Sequence, residues 1–277
     1  MSEPIGRATF LGSGTSHGVP MIGCRCATCT SDDPRDKRLR PSVLVELSSG
    51  PTLLVDTSPD LRAQALRHDV RRVDAVLFTH PHADHLLGLD EIRRYNTMQR
   101  ATIPCYGDPD TLAEVRRVFA YAFEPRQQGG GVPKLELVPV TGPFEAAGAP
   151  VTPIPVLHGR LPIYGYRIGA FAYLTDCSAI PDASWPLLEG LDVLVLDALR
   201  HVPHATHFTV AQALDVVARV RPRRALLTHI AHDLRHAETA AGLPTGVELA
   251  YDGLVVPVLG EAAWHQAEGG AIGPAGE

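Results

Sequence analysis

Between positions 80 and 85 the chain reads His80-Pro81-His82-Ala83-Asp84-His85, four metal-ligand side chains in one short stretch. Pro81 biases its predecessor toward an extended backbone. Residues two apart in an extended chain face the same way, so His80 and His82 can grip one metal ion. Asp84 and His85 are adjacent and diverge from that pair, which lets them grip a second ion beside the first. The spacing therefore suits two metals. A pair of divalent ions about 3.5–4 Å apart can hold a bridging hydroxide that is nucleophilic near neutral pH. Most of the 13 histidines fall into four groups, at 80–85, 158, 201–207 and 229–236.

A second cluster lies in Gly23-Cys24-Arg25-Cys26-Ala27-Thr28-Cys29. Three thiolates at this spacing suit a closed tetrahedral zinc site that lacks one local ligand. Free core thiols or a redox trio are the alternatives. Cys105 and Cys177 complete the five cysteines and read as buried packing. An odd count in a reducing compartment points away from disulfides.

Such chemistry needs elements that deliver the ligands to one place. Short apolar runs predict buried strands at Ala8–Leu11, Val43–Leu47, Thr52–Val55, Ala75–Phe78, Val151–Val156, Ala172–Leu174, Val193–Leu196 and Ala225–Leu227. Helical patterns at Pro59–Arg67, Asp110–Phe119, Pro181–Leu188 and Val210–Val220 fall between them. Strands interleaved with helices predict an α/β layered domain, and a four-layer α/β/β/α sandwich fits. Six apolar runs stop at a potential ligand, namely Asp56, His80, His158, Asp176, Asp197 and His229. Buried strands carry their C-terminal residues to one sheet edge, where sites in α/β folds form. Helix capping is the alternative for Asp56 and Asp197, but it does not account for three histidines.

The 277 residues are 45% hydrophobic and 20% charged, enough to bury a core without disulfides. A net charge of −6 disfavours nucleic acid as a partner and leaves room for a small anionic substrate. No apolar run approaches the ~20 residues of a membrane span, and no signal-peptide core is evident. A cytoplasmic protein with no membrane partner is expected. Residues 1–277 read as one domain, with a zinc-binding insertion near 23–40. The Gly- and Gln-rich stretch 124–133 reads as a mobile loop, and the tail 266–277 as flexible.

The motif at 80–85, followed in order by His158, Asp176 and His229, resembles the metallo-β-lactamase superfamily, whose signature is His-x-His-x-Asp-His. The resemblance extends over nearly the whole chain. It implies the four-layer α/β/β/α fold and a dinuclear hydrolase using zinc or manganese. His80, His82 and His158 would hold one ion, Asp84, His85 and His229 the other, and Asp176 would bridge them. Asp56 would orient a ligand from outside.

Gly18-Val19-Pro20, the cysteine block and Thr228-His229-Ile230-Ala231-His232 are similar to the phosphoribosyl cyclic phosphate phosphodiesterases of the bacterial phosphonate pathway and their broader group. That resemblance implies one structural zinc on Cys24, Cys26, Cys29 and His232. It also implies a phosphodiesterase for a small linear or cyclic diester. Catalysis would depend on Asp84 as a ligand and on His207, just before a helix, as general acid. A partner for the helix N-terminus is the other reading of His207, although that end disfavours a charged imidazole. Residues Gly88 to Asn96 and Asp197 to His201 look more like the broader group, so the chemistry transfers better than the substrate. Arg38 and Arg40 are open between a substrate-phosphate contact and a solvated basic patch. His201, His204 and the loop of Thr15, Ser16 and His17 are candidates to edge the site.

Other readings use the same fold. An RNase Z-like nuclease needs a basic arm, and none is visible. A carboxyl-ester, thioester or lactam hydrolase is allowed by the ligands alone. A non-enzymatic metal-binding protein would show lost ligands, and all seven expected ones are present. A homodimer is the expected assembly.

Overall fold

The computed structural model describes residues 4–124 and 131–260. Strands β1 (Gly6–Gly12), β2 (Ser42–Leu47), β3 (Thr52–Val55), β4 (Ala75–Leu77), β5 (Ile103–Gly107) and β6 (Leu135–Pro139) build a first sheet. Strands β7 (Phe144–Ala146), β8 (Ala149–His158), β9 (Leu161–Ile168), β10 (Phe171–Leu174), β11 (Val193–Asp197), β12 (Arg224–Thr228) and β13 (Val247–Leu249) build a second. Strand β14 (Val255–Val258) returns to the first sheet beside β1. The orders are β14-β1-β2-β3-β4-β5-β6 and β13-β12-β11-β10-β9-β8-β7.

Alternation along the strands makes the layers. Val43, Val45, Leu53 and Val55 face the second sheet and meet Tyr166, Tyr173, Val195 and Leu226. Leu44, Leu54 and Val76 face outward. They pack under α1 (Leu61–Arg67), α2 (Ala83–Leu86), α3 (Ile92–Gln99), α4 (Pro109–Val118) and α5 (Ala120–Phe123). The outer face of the second sheet packs on α6 (Val210–Val220) and a 3-10 helix at Asp182–Leu188, and α7 (His236–Ala241) lies against β13. The result is the expected α/β/β/α sandwich.

The predicted α-helical stretch Pro181–Leu188 is instead 3-10, with Pro186 inside it. Proline lacks the amide donor that an α-helical turn needs. Strands β5, β6, β9 and β14 escaped the apolar-run reading because Pro104, Glu136, Pro162, Gly165 and Pro257 interrupt them. The tail 266–277 and residues 125–130 of the predicted mobile loop lie outside the described residues. Among the described residues no helix is long and apolar enough to cross a membrane.

Strands β3 and β4 are parallel, as are β10, β11 and β12. Strand β8 runs with β10 because both are antiparallel to β9. The six strand ends that carry potential ligands thus point consistently within each sheet. The sheets are tied at this edge by Tyr166, whose hydroxyl donates to the Phe78 carbonyl (2.7 Å), and by the Tyr164 amide, which donates to the Thr79 carbonyl (3.0 Å).

Candidate metal centre

Three of the strand ends aim their candidate ligands by a sharp backbone turn. Asp56, Asp176 and His229 follow β3, β10 and β12 with φ of 60°, 54° and 58°. Non-glycine residues rarely adopt this left-handed conformation, and such strain collects at functional sites. His82 precedes α2 in an extended conformation, and Asp84 and His85 lie within that helix. His80 and His82 consequently face one way and the Asp84–His85 pair another.

Two groups of donor atoms result. His80, His82 and His158 form one, and Asp84, His85, Asp176 and His229 the other; His207 overlaps both, in a set with His158 and Asp176 and in a set with Asp197 and His229. Asp176 is central: its carboxylate lies 3.1 Å from His85 Nε2, 3.1 Å from His229 Nε2 and 4.0 Å from His80 Nε2. Asp84 Oδ2 lies 3.3 Å from His85 Nε2 and 3.6 Å from His229 Nε2. His82 alone in these groups is exposed, so it marks the open side.

Outer partners set the histidine tautomers. The Thr79 hydroxyl donates to Asp56 Oδ2 (2.8 Å), so it accepts from His80 Nδ1 (3.0 Å). His85 Nδ1 donates to Asp56 Oδ2 (2.7 Å), and His158 Nδ1 donates to the Thr206 carbonyl (2.8 Å). Each ring therefore turns a bare Nε2 lone pair inward, the arrangement that metal-ligating histidines use. The Nε2 atoms of His80, His85 and His229 are buried without a hydrogen-bond partner. Leaving such groups unpaired costs about 1–3 kcal/mol each. Converging imidazole lone pairs and carboxylates make a donor set that fits divalent zinc or manganese.

With no ion present, the clustered carboxylates and imidazoles shift one another's titration. Burial opposes charge on Asp176, yet His229 and His85 outweigh it and hold the carboxyl well below its usual range. Burial likewise opposes charge on His85 and His229, but Asp176 foremost raises both imidazoles. His80, buried and then opposed by His85, is driven well below its ordinary value. Burial and then His229 push the His207 imidazole down to about 4.

Several residues take roles that the sequence left open. Asp56 does not cap α1. It is fully buried and receives the Thr79 amide and hydroxyl and the His85 imidazole. Asp197 does not cap a helix either: Oδ2 accepts from the Phe208 amide (2.9 Å) and lies 3.4 Å from His207 Nδ1, while Oδ1 lies 3.6 Å from His229 Nδ1. His207 is not needed at the start of α6, because Thr209 and Gln212 form a capping box there. The His207 ring stands 4.8 Å from the rings of His158 and His229. The His204 ring lies 5.0 Å from His207, whereas His201 is exposed. Sequence reasoning missed Thr79 and Thr206. The signal for Thr79 was a hydroxyl immediately before His80, whereas Thr206 acts on His158 through its backbone carbonyl, for which residue type gives no cue.

Arg38 and Arg40 were expected at a substrate or on a solvated patch, and Arg38 is neither. Its side chain is 0% exposed and pairs with Asp36, because backbone carbonyls of residues far along the chain close over it. Arg40 binds Asp60 (2.9 Å) and the Ser16 carbonyl (3.0 Å). In the loop after β1, the Thr15 amide reaches the Ile230 carbonyl (3.2 Å), beside His229.

The cysteines form a separate cluster. Cys24, Cys26 and Cys29 Sγ lie 3.3, 3.4 and 3.6 Å from His232 Nδ1. Zinc bonds of about 2.3 Å to sulfur and 2.0–2.1 Å to nitrogen give a tetrahedral edge of about 3.6 Å, so the four atoms fit one zinc. Cys105 and Cys177 are buried in the apolar layers.

Residues 52–230 match the family model of the beta-lactamase superfamily domain. A Porphyromonas gingivalis protein named octanoyltransferase is 38% identical over 252 residues, 90% of this chain and 51% of that protein. The chain thus spans about half the length of this curated relative. A structure described as a new diphosphatase from the PhnP family has a TM-score of 0.85 at 46% identity, covering 91% of this chain and 97% of the other. Zinc-bound PqqB from Methylobacterium extorquens shares the fold, with a TM-score of 0.74 at 22% identity over 91% of this chain and 100% of that one. With its family match, its α/β/β/α sandwich and its converging His/Asp donors, the chain belongs to the beta-lactamase superfamily and has the metallo-β-lactamase fold.

Proposed function

We propose that this protein is a metal-dependent hydrolase, a phosphodiesterase acting on a small linear or cyclic diester. The observation that carries the reading is His207, which stands beside both donor groups without belonging to the helix cap. In this reading His80, His82 and His158 hold one divalent ion. Asp84, His85, His229 and Asp176 would hold a second, and Cys24, Cys26, Cys29 and His232 would hold a structural zinc. Bound divalent ions supply Lewis acidity toward a phosphoryl oxygen and acidify water into a nucleophile near neutral pH. Similarity to the PhnP-family diphosphatase supports phosphorus as the reacting atom.

His207 handles the leaving group. Held low at about 4, its imidazole is neutral in the free site at pH 7. An arriving diester anion favours the imidazolium, so substrate binding and proton uptake are linked. Asp197 lies 3.4 Å from Nδ1 and favours the charged ring, and the imidazolium delivers its proton to the departing alkoxide as the P–O bond breaks.

The test is hydrolysis of bis(p-nitrophenyl) phosphate with and without added manganese. Asp84→Ala is expected to abolish metal-dependent turnover. His207→Ala is expected to lose about 10²–10⁴-fold with its metals retained. Turnover unchanged in Asp84→Ala sinks the mechanism. A second reading, an acyl ester or thioester hydrolase, is favoured by the name of the Porphyromonas gingivalis relative. Cleavage of an octanoyl thioester much faster than of any phosphodiester would establish it in place of the first.

A further inference from the structure

The segment 229–236 carries a ligand for each metal centre, His229 for one and His232 for the other. Arg38 grips the backbone between and just beyond them. Its Nη1 donates to the Ala231 carbonyl (3.1 Å) and its Nη2 to the Leu234 carbonyl (2.8 Å). Nη2 also donates to Asp36 Oδ1 (3.0 Å), and Nε to the Arg35 carbonyl (3.1 Å). Asp36 Oδ1 in turn accepts the His236 amide (2.8 Å). The arginine is rooted in the cysteine-bearing stretch: its own amide and carbonyl pair with Val19, and neighbouring Lys37 donates to the Cys29 carbonyl (3.2 Å).

Burying a guanidinium is unfavourable, and burial alone lowers its basicity here despite Asp36. A buried ion pair is weak evidence for stability, and fixing one backbone conformation is the other role that such a pair can serve. What this pair specifies is the path of the segment from Ala231 to His236. Its hydrogen bonds touch neither the segment after β4 that holds His80 nor β8, which ends at His158.

We propose that Arg38, with Asp36, is a positioning residue that couples the cysteine site to the His229 side of the catalytic centre and leaves the His80, His82 and His158 side independent. The inference rests on the metal assignment above but not on any substrate. Lysine cannot replace the arginine, because a point ammonium lacks the planar fork that reaches these acceptors together.

The test is a chelator titration of the full chain, with bound metals counted by elemental analysis. Adding Arg38→Lys to His80→Ala is expected to lower the affinity of the remaining histidine-side ion by about 10–100-fold, the usual effect of losing an outer-shell partner. Adding it to His229→Ala is expected to change nothing. Cys26→Ser should weaken the same ion, and combining it with Arg38→Lys should add little. Excess manganese should restore kcat in Arg38→Lys, which a simply unfolded variant would not allow. If Arg38→Lys does not fold, Asp36→Asn is read in the same way; it keeps an acceptor for the His236 amide. Equal weakening of both histidine-side ions, or of neither, overturns the proposal. A wild type that never holds two such ions overturns the two-metal reading and the coupling with it. Two coupled ions with no diester turnover sink only the phosphodiesterase.

Discussion

The thiols of the cysteine cluster do not start from the same protonation state. The Cys29 amide is the main cause that lowers Cys26 to about 6, while burial raises Cys29 to about 11. At pH 7 Cys26 is already a thiolate, and Cys29 must release a proton when a metal binds. Metal affinity therefore falls as pH falls, by at least about tenfold per unit from the Cys29 proton alone. Below about 6 the Cys26 thiol also becomes protonated, so the slope should steepen there. Zinc competition against a chromophoric chelator between pH 5 and 8 checks this; a flat profile would mean that the cluster does not bind metal through thiolates.

At the scale of elements, β11 and α6 clasp the loop that holds His207. The Leu199 amide bonds the Phe208 carbonyl (3.0 Å), the Val210 amide bonds the Arg200 carbonyl (3.1 Å), and Asp197 takes the Phe208 amide. The Thr209–Gln212 box finishes the clasp. Thr209→Ala is expected to cost about 1 kcal/mol, seen as a fall of about 2–4 °C in thermal midpoint, with metal content unchanged. Loss of bound metal in this variant would show that the cap supports the ligands and not only the helix.

The whole molecule places the centre on the seam between its sheets. His80, His82, Asp84 and His85 follow β4, while His158, Asp176 and His229 come from the second sheet. The Tyr166 hydroxyl crosses this seam to the Phe78 carbonyl, two residues from His80. Tyr166→Phe leaves that buried carbonyl without its donor, at a cost of about 1–3 kcal/mol. A lower urea midpoint at unchanged slope is the expected result. An unchanged midpoint would mean that packing alone holds the sheets together.

Much of the centre was legible in the chain because its cues are local. Spacing within 80–85 separates two ligand pairs through backbone geometry alone, and apolar runs ending at His158, Asp176 and His229 reveal strand ends. The layered α/β class followed from the same periodicity. Strands broken by Pro104, Pro162 or Pro257 were hidden, since their identity comes from pairing with neighbours. Arg38 was hidden for a similar reason. It stands among Asp36, Lys37 and Arg40 and looks solvated, yet its acceptors Ala231 and Leu234 lie far along the chain. Sequence by itself determined which side chains carry metal-binding chemistry and where the unbroken apolar strands would end. Only the tertiary structure decided which of them meet, because contact across two sheets depends on register and facing, which no residue's chain neighbours encode.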